Sequence, residues 1–287
     1  MFPDSLSWPL RRWIDALVDW LVVTYGDGFE ALSDGVVSIL VALERVLRGA
    51  PWWLVVLAVA ALAYHASRRL ALVATLVAAM VLIGSLGLWD KAMQTLALML
   101  VSVVICVIVG VPLGIVMSLS DRVRALMLPV LDLMQTMPSF VYLIPAVMLF
   151  GLGKVSAILA TVIYAVPPLI RLTDLGIRLV DVDVVEAARA FGAGRARMLV
   201  GVQLPLALPT VMAGVNQAIM MALAMVVIAS MIGARGLGEE VLLGLQRQEP
   251  GTGFAGGLAI VALAVVLDRI SQAYGRRAQA VRGAAPQ

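Results

Sequence analysis

Polar side chains set inside long apolar runs are the residues of this chain that could do chemistry, since a donor or acceptor at membrane depth is costly unless something uses it. Asp132, Gln135, Thr136, Ser139 and Tyr142 cluster where one such run begins, with Pro138 and Pro145 placed to bend it, and Asn216 and Gln217 stand together in another. Amides, hydroxyls and a phenol offer hydrogen bonding and no bond-making. For Gln135, Thr136, Asn216 and Gln217 two readings stand side by side: they line a polar path through the bilayer, or they hydrogen-bond helix to helix at about 1 kcal/mol each. Tyr142 joins them as a path candidate, and the carbonyls freed by the prolines suit a helix beside a cavity. Asp132 reads as structure at the membrane boundary. One cysteine, Cys106, and one histidine, His65, are too few for a metal centre or a Cys/His nucleophile. The run Gly151, Leu152, Gly153, Lys154, Val155 lacks the first glycine and the Ser/Thr of a phosphate-binding loop. No catalytic, cofactor-binding or metal-ligating residue is assigned.

Those polar groups need apolar elements to hold them. Of 287 residues 62% are hydrophobic and 14% charged, against roughly 25% charged in soluble domains, which excludes a soluble enzyme, a disulfide scaffold and a disordered linker. The fold class is all-α, a polytopic membrane helix bundle. A bilayer core of about 30 Å asks for roughly 17–25 mostly apolar residues per helix. Seven runs are taken as spans, some of them short: 52–66, 70–88, 92–119, 136–150, 155–170, 206–232 and 254–267.

Arginines set the expected orientation, because cytoplasmic loops collect Lys and Arg near span ends. Arg68, Arg69, Arg122, Arg124, Arg171, Arg178, Arg189, Arg195, Arg197, Arg269, Arg276, Arg277 and Arg282 share one side, which is 13 of the 21 basic residues. That side is placed in the cytoplasm, so the amino terminus is outside and the carboxyl terminus inside. The net charge of +3 follows from these arginines and makes no case for a nucleic-acid partner. Arg11 and Arg12 followed by Asp15 and Asp19 exclude a signal peptide. The first 50 residues read as two amphipathic helices able to lie in the membrane interface, the first with Leu6, Leu10, Trp13, Ile14, Leu17 and Leu21 on its apolar face, the second with Leu32, Val36, Ile39, Leu40, Leu43 and Leu47. Trp52, Trp53 and Trp89 at span ends are interfacial anchors. Gly110 with Gly114, and Gly253 with Gly257, are small-residue pairs that let helices approach. Arg235 to Glu240 reads as an outside turn without assignable chemistry.

One connection is long: 171–205 lies on the arginine-rich side. Within it Glu186 suits the first turn of a helix, Ala187 and Ala188 favour helix, and Gly192 ends it and permits close backbone approach. The spacing predicts a short helix, a glycine turn, and a second helix re-entering the membrane.

The pattern Glu186-Ala187-Ala188, three residues, Gly192, nine residues, Val202, one residue, Leu204-Pro205 resembles the cytoplasmic signature of bacterial ABC-importer permeases, with Val202 where the family has Ile. The stretches 87–96, 129–154, 164–178, 216–241 and 267–270 are similar to the glycine betaine, proline betaine and choline permeases, the ProW-like subfamily. The resemblance implies a type I (MetI-like) permease core and binding-protein-dependent transport across the bacterial inner membrane. Glu186, Ala187, Ala188 and Gly192 would then couple to an ATPase subunit, and Leu204 and Pro205 would set the start of the next span. It implies an extracytoplasmic substrate-binding protein, a second permease copy forming a homodimer, and ATP and magnesium held by the ATPase, with no cofactor in this chain. Only 6% of residues are aromatic and no Trp or Tyr cluster lies within the spans, so tight capture of a quaternary ammonium group falls to the binding protein.

The expected organisation is an interfacial tail at 1–50, two accessory helices at 51–90, a permease core at 91–272 with the coupling loop 171–205, and a cytoplasmic tail at 273–287. Two rivals to the betaine or choline reading are a permease of the same architecture for another small solute such as methionine, and a secondary transporter working without an ATPase.

Overall fold

The computed structural model describes residues 10–283, with side chains from 12 to 277, and all its regular structure is helical. Leu6, Leu10, Arg11 and Arg282, named above, lie outside the described side chains.

The amino-terminal region is one helix, α1 (Leu10–Gly49), where two were expected. No proline interrupts it, and the glycines at 26, 28 and 35 each weaken a helix by only about 1 kcal/mol relative to alanine. Its second half is held by Val36, Leu40 and Glu44, buried at i, i+4 and i+8, and by Phe29, whose ring meets the edge of Phe150 at 5.4 Å. The first half leaves Trp13, Ile14, Leu17 and Trp20 exposed.

Pro51 turns the chain by 105° into α2 (Trp52–Ser67), and α3 (Leu70–Ser85) returns beside it. At 16 residues each, about 24 Å, both fall short of a bilayer core. Then come α4 (Trp89–Leu119), α5 (Asp121–Thr136), a single 3-10 turn (Ser139–Tyr142), α6 (Leu143–Phe150), α7 (Lys154–Arg178), α8 (Val182–Ala190), α9 (Arg195–Met198), a π turn (Leu199–Gln203), α10 (Leu204–Ser230), α11 (Leu237–Gln246) and α12 (Pro250–Gly283).

Among the described residues four stretches are long and apolar enough to cross a membrane alone: α4, α7, Arg195–Ser230, and α12 over Pro250–Arg277. Counting the bent pairs α1 with α2 and α5 with α6 as one span each raises this to six, where seven runs were expected. The run left out is 70–88, whose helix α3 is too short to be counted, while the run at 136–150 enters only as part of a bent pair. Pro138 follows α5, the chain bends by 107°, and only the eight residues of α6 run on as helix. Asp132, Gln135 and Thr136 therefore belong to the amphipathic α5. The span expected at 155–170 continues eight residues further to Arg178 because its polar end, Arg171 to Arg178, finds partners. Most of the 171–205 connection is consequently helical.

Helix α7 is the centre of the core. It lies parallel to α4 and antiparallel to α10, and close glycine contacts set both approaches. A Cβ at Gly114 would stand 2.5 Å from Thr173 Cβ and 2.7 Å from the Ile170 carbonyl, and one at Gly214 would stand 3.1 Å from Leu169 Cα. The pair Gly110 and Gly114 is thus used inside the chain. A second apolar cluster joins α2, α3 and α12 through Ala63, Leu76, Met80, Ala259 and Leu263.

Charged groups fall at two opposite ends of these helices. Glu44 with Lys154, Arg48 with Asp90, and Lys91 with Glu239 and Glu240 gather where α4 and α7 begin. The region Arg235 to Glu240, expected as a bare turn, supplies both glutamates from the first turn of α11. Leu237 N–H also donates to Thr95 Oγ1 at 2.8 Å. At the other end, α8 and the arginine groups of α5 and α7 stand where α4 and α7 finish.

Candidate functional site

The long connection folds into an outward-standing helix. Asp181 caps α8, accepting from Asp183 N–H at 2.9 Å. The helix starts at Val182, so Glu186 sits in its second turn and Asp183 takes the first-turn place beside the positive end of the dipole. No residue of α8 is buried; Glu186 and Ala187 are exposed and Ala188 is half-buried.

The end of α8 is a two-bond cap. Ala193 N–H donates to Ala188 C=O at 3.0 Å and Gly192 N–H to Arg189 C=O at 2.9 Å, with Gly192 at φ +81°. This is the left-handed glycine termination. A Cβ at Gly192 would have nothing within 4 Å, so the glycine serves the torsion angle and not a close approach within this chain. The cap turns Phe191 outward, 92% exposed, and Val182 and Val184 of α8 are exposed as well. Phe191 falls among the unspecified positions of the signature. Its signal in the sequence was an aromatic next to the terminating glycine of a surface helix.

Beyond the cap, α9 runs through the π turn into α10. Pro205 has no N–H to give. Upstream of it, Leu204 N–H reaches Leu199 C=O, five residues back. Leu204 and Pro205 thus stand at a bulge in a nearly continuous helix.

The five path candidates lie in two places. Gln135 and Thr136 are exposed at the end of α5, and Thr136 Oγ1 donates to Leu133 C=O at 3.0 Å. Tyr142 is buried, its hydroxyl donating to the Met134 carbonyl, with its ring 6.1 Å from that of Tyr164. Asn216 and Gln217 instead border a cleft of about 320 Å³ between α10 and α12, with Met212, Ser271 and Gln272. None of the α5 group lines it. Asn216 Nδ2 donates to Asp268 Oδ1 at 3.0 Å, and Gln272 Nε2 donates to the same carboxylate at 2.8 Å. Asn216 Oδ1 and Ser271 Oγ are buried without a protein partner. Asp268 and Gln272 went unassigned from sequence, although a carboxylate and an amide four residues apart in an apolar helix mark a polar face. Asp132, 64% exposed at its side chain, pairs with Arg171.

Lys154, in the stretch that superficially resembles a phosphate loop, is committed to Glu44: Nζ lies 2.6 and 2.7 Å from the two carboxylate oxygens. Trp52 and Trp89 share an apolar groove of about 560 Å³ with Val56, Met80, Val81 and Gly84. The structure brings together two indoles that are far apart in sequence.

Comparisons with known proteins agree with this architecture. Residues 107–280 match the family model described as binding-protein-dependent transport system inner membrane component. The chain is 47% identical to the glycine betaine/proline betaine transport system permease protein ProW of Escherichia coli (strain K12), over 93% of this chain and 75% of that one. It is likewise 47% identical to the glycine betaine transport system permease protein OpuAB of Bacillus subtilis (strain 168), over 92% and 93%. An inward-facing structure of the MetNI methionine ABC transporter superposes with a TM-score of 0.55 at 22% identity, covering 66% of this chain and 93% of that one, a likeness of fold. With a family match over most of the core, the exposed helix in the connection and the apolar bundle behind it are those of a transport permease, and the chain belongs to the binding-protein-dependent transport system inner membrane component family.

Proposed function

We propose that this chain is the permease subunit of an ATP-binding-cassette importer for a quaternary-ammonium compatible solute such as glycine betaine, proline betaine or choline. The observation that carries the reading is α8: a capped helix with no buried residue, presenting Glu186, Ala187, Val184 and Phe191 from the arginine-rich end of the bundle. Apolar side chains held on a rigid surface helix suit a groove in a partner protein. That partner is an ATPase subunit, which holds ATP and magnesium. Glu186, Ala187, Ala188 and Gly192 form the docking helix, and Leu204 with Pro205 carry its displacement into α10.

The arginine-rich end faces the cytoplasm, with the amino terminus outside and the carboxyl terminus inside. A binding protein delivers solute at the opposite end. A second copy of the chain completes the path: Gln135, Thr136 and Gln217 are exposed, and within a bilayer an exposed amide or hydroxyl needs a polar surface against it. Closure of two ATPase subunits draws the two α8 helices together and switches the path from inward-facing to outward-facing. The solute class follows from similarity to ProW and OpuAB, whose names specify glycine betaine.

The test is a mild-detergent pull-down of the tagged chain from its own cells, wild type against Gly192→Asp, paired with uptake of radiolabelled glycine betaine. An ATPase should accompany the wild type and be lost from the folded variant, and uptake should stop when ATP is depleted with ion gradients intact. Uptake that follows the gradients while ATP is absent would establish a secondary transporter instead.

A further inference from the structure

Helix α5 packs on the core through Leu131, Met127, Leu128 and Met134 and is tied to its neighbours by charge as well. Leu131 is its one buried residue, while Leu126, Val130 and Leu133 are exposed. Three Arg–Asp contacts bind it to α7: Arg124 Nε to Asp174 Oδ2 at 3.0 Å, Arg178 Nη1 to Asp121 Oδ1 at 2.7 Å, and Arg171 to Asp132. Asp174 is the hub. It is 2% exposed, and its second oxygen accepts from Arg178 Nε at 2.8 Å. Arg178 Nη2 in turn donates to the Met117 carbonyl of α4 at 3.1 Å. Asp121, Arg124, Asp174 and Arg178 together are charge-neutral, and Asp174, the one buried member, depends on its two arginines staying in place.

Its place in the chain matters more than its stability. Arg178 is the last residue of α7, and residues 179–181 alone separate it from α8. The same side chains therefore tie the root of α8 to the first turn of α5. Helix α7 packs tightly on α4 near this point, where Gly114 sits against Thr173 and Ile170 with no room for a Cβ. Parting Arg124 from Asp174 leaves a buried carboxylate with half its partners.

We propose that Asp174 is a positioning residue that passes displacement of α8 into α5, whose far end carries Gln135 and Thr136. The inference rests on α8 being the ATPase-coupling helix.

The experiment uses the full chain with its copurified ATPase in liposomes, radiolabelled glycine betaine and its binding protein. Asp174→Asn, Arg124→Gln and Arg124→Lys are compared with the exposed control Arg122→Gln. Asp174→Asn and Arg124→Gln should keep the ATPase bound and basal ATP hydrolysis within about twofold, while transport per ATP falls at least tenfold; Arg124→Lys should restore most of it. A second readout is a Gln135→Cys reporter labelled by a membrane-impermeant maleimide, Cys106 being buried. Its labelling should change with nucleotide in the parent and lose that change with Asp174→Asn or Arg124→Gln. Unaltered transport per ATP and nucleotide-dependent labelling in both variants would overturn the proposal, as would a parallel fall of ATPase activity and transport, which marks a purely structural role. Should Asp174→Asn not assemble, Arg124→Gln decides. Failure of any ATPase to accompany the wild-type chain would overturn the coupling-helix reading, and this inference with it.

Discussion

With φ at +81° and open space where a Cβ would stand, position 192 separates backbone handedness from packing. A left-handed conformation costs an ordinary L-residue about 1–2 kcal/mol, and asparagine less. Gly192→Ala should therefore weaken ATPase copurification about tenfold, Gly192→Asn should be milder and Gly192→Val more severe, in titrations of detergent-solubilised chain against its partner. A different order, with Ala and Asn alike and both harmless, would show that the αL cap does not position the docking surface. Phe191 offers the complementary case. Its 92% exposed ring is free to bury on a partner, and exposed aromatics are frequent interface anchors. Phe191→Ala should weaken copurification tenfold or more without lowering the thermal stability of the isolated chain.

Among the elements, α7 is held by shape, and that can be tested by filling a single gap. Gly114→Val would push a branched side chain into Thr173 and the Ile170 carbonyl, and overpacking of this kind costs about 1–3 kcal/mol or more. The melting temperature in detergent should fall, and cell yield with it, whereas Gly257→Val, whose Cβ would meet nothing within 4 Å, should leave both unchanged. The sequence exposed these glycines as close-approach pairs but not their targets, because spacing along one helix says nothing about which neighbour fills the groove. It was equally blind to the extent of α7. Arg171, Asp174 and Arg178 look like loop residues until Asp121, Arg124 and Asp132 are seen across from them. The kink after α5 was foreshadowed by Pro138, yet a run of apolar residues through 150 suggested one span where the chain bends by 107°.

At the scale of the whole molecule the 171–205 connection was the most legible feature, since a fixed spacing of glycine, proline and small residues is a local property. The α10–α12 cleft was legible only by half: Asn216 and Gln217 stood out, while Asp268 depends on packing between helices 52 residues apart in sequence. The proposed orientation rests on the arginines gathered at one end of the bundle. In intact cells an impermeant maleimide should label Arg247→Cys and leave Arg195→Cys unlabelled until the cells are opened; both positions are exposed. The reverse pattern would invert the topology and place α8 outside, where no ATPase could reach it.

The central place of α7 also bears on how the chain is made. One of its faces rests on α4, which is synthesised earlier, but the other rests on α10, which leaves the ribosome only after the connection has been translated. Until then the Gly176 and Leu172 face, destined for Ala207 and Gly214, has no α10 against it and meets lipid or the insertion machinery. The nascent bundle therefore passes through a stage in which its most buried candidate span is half unclad, and a chain ending at residue 203 should be cleared by membrane proteases far faster than the full-length protein.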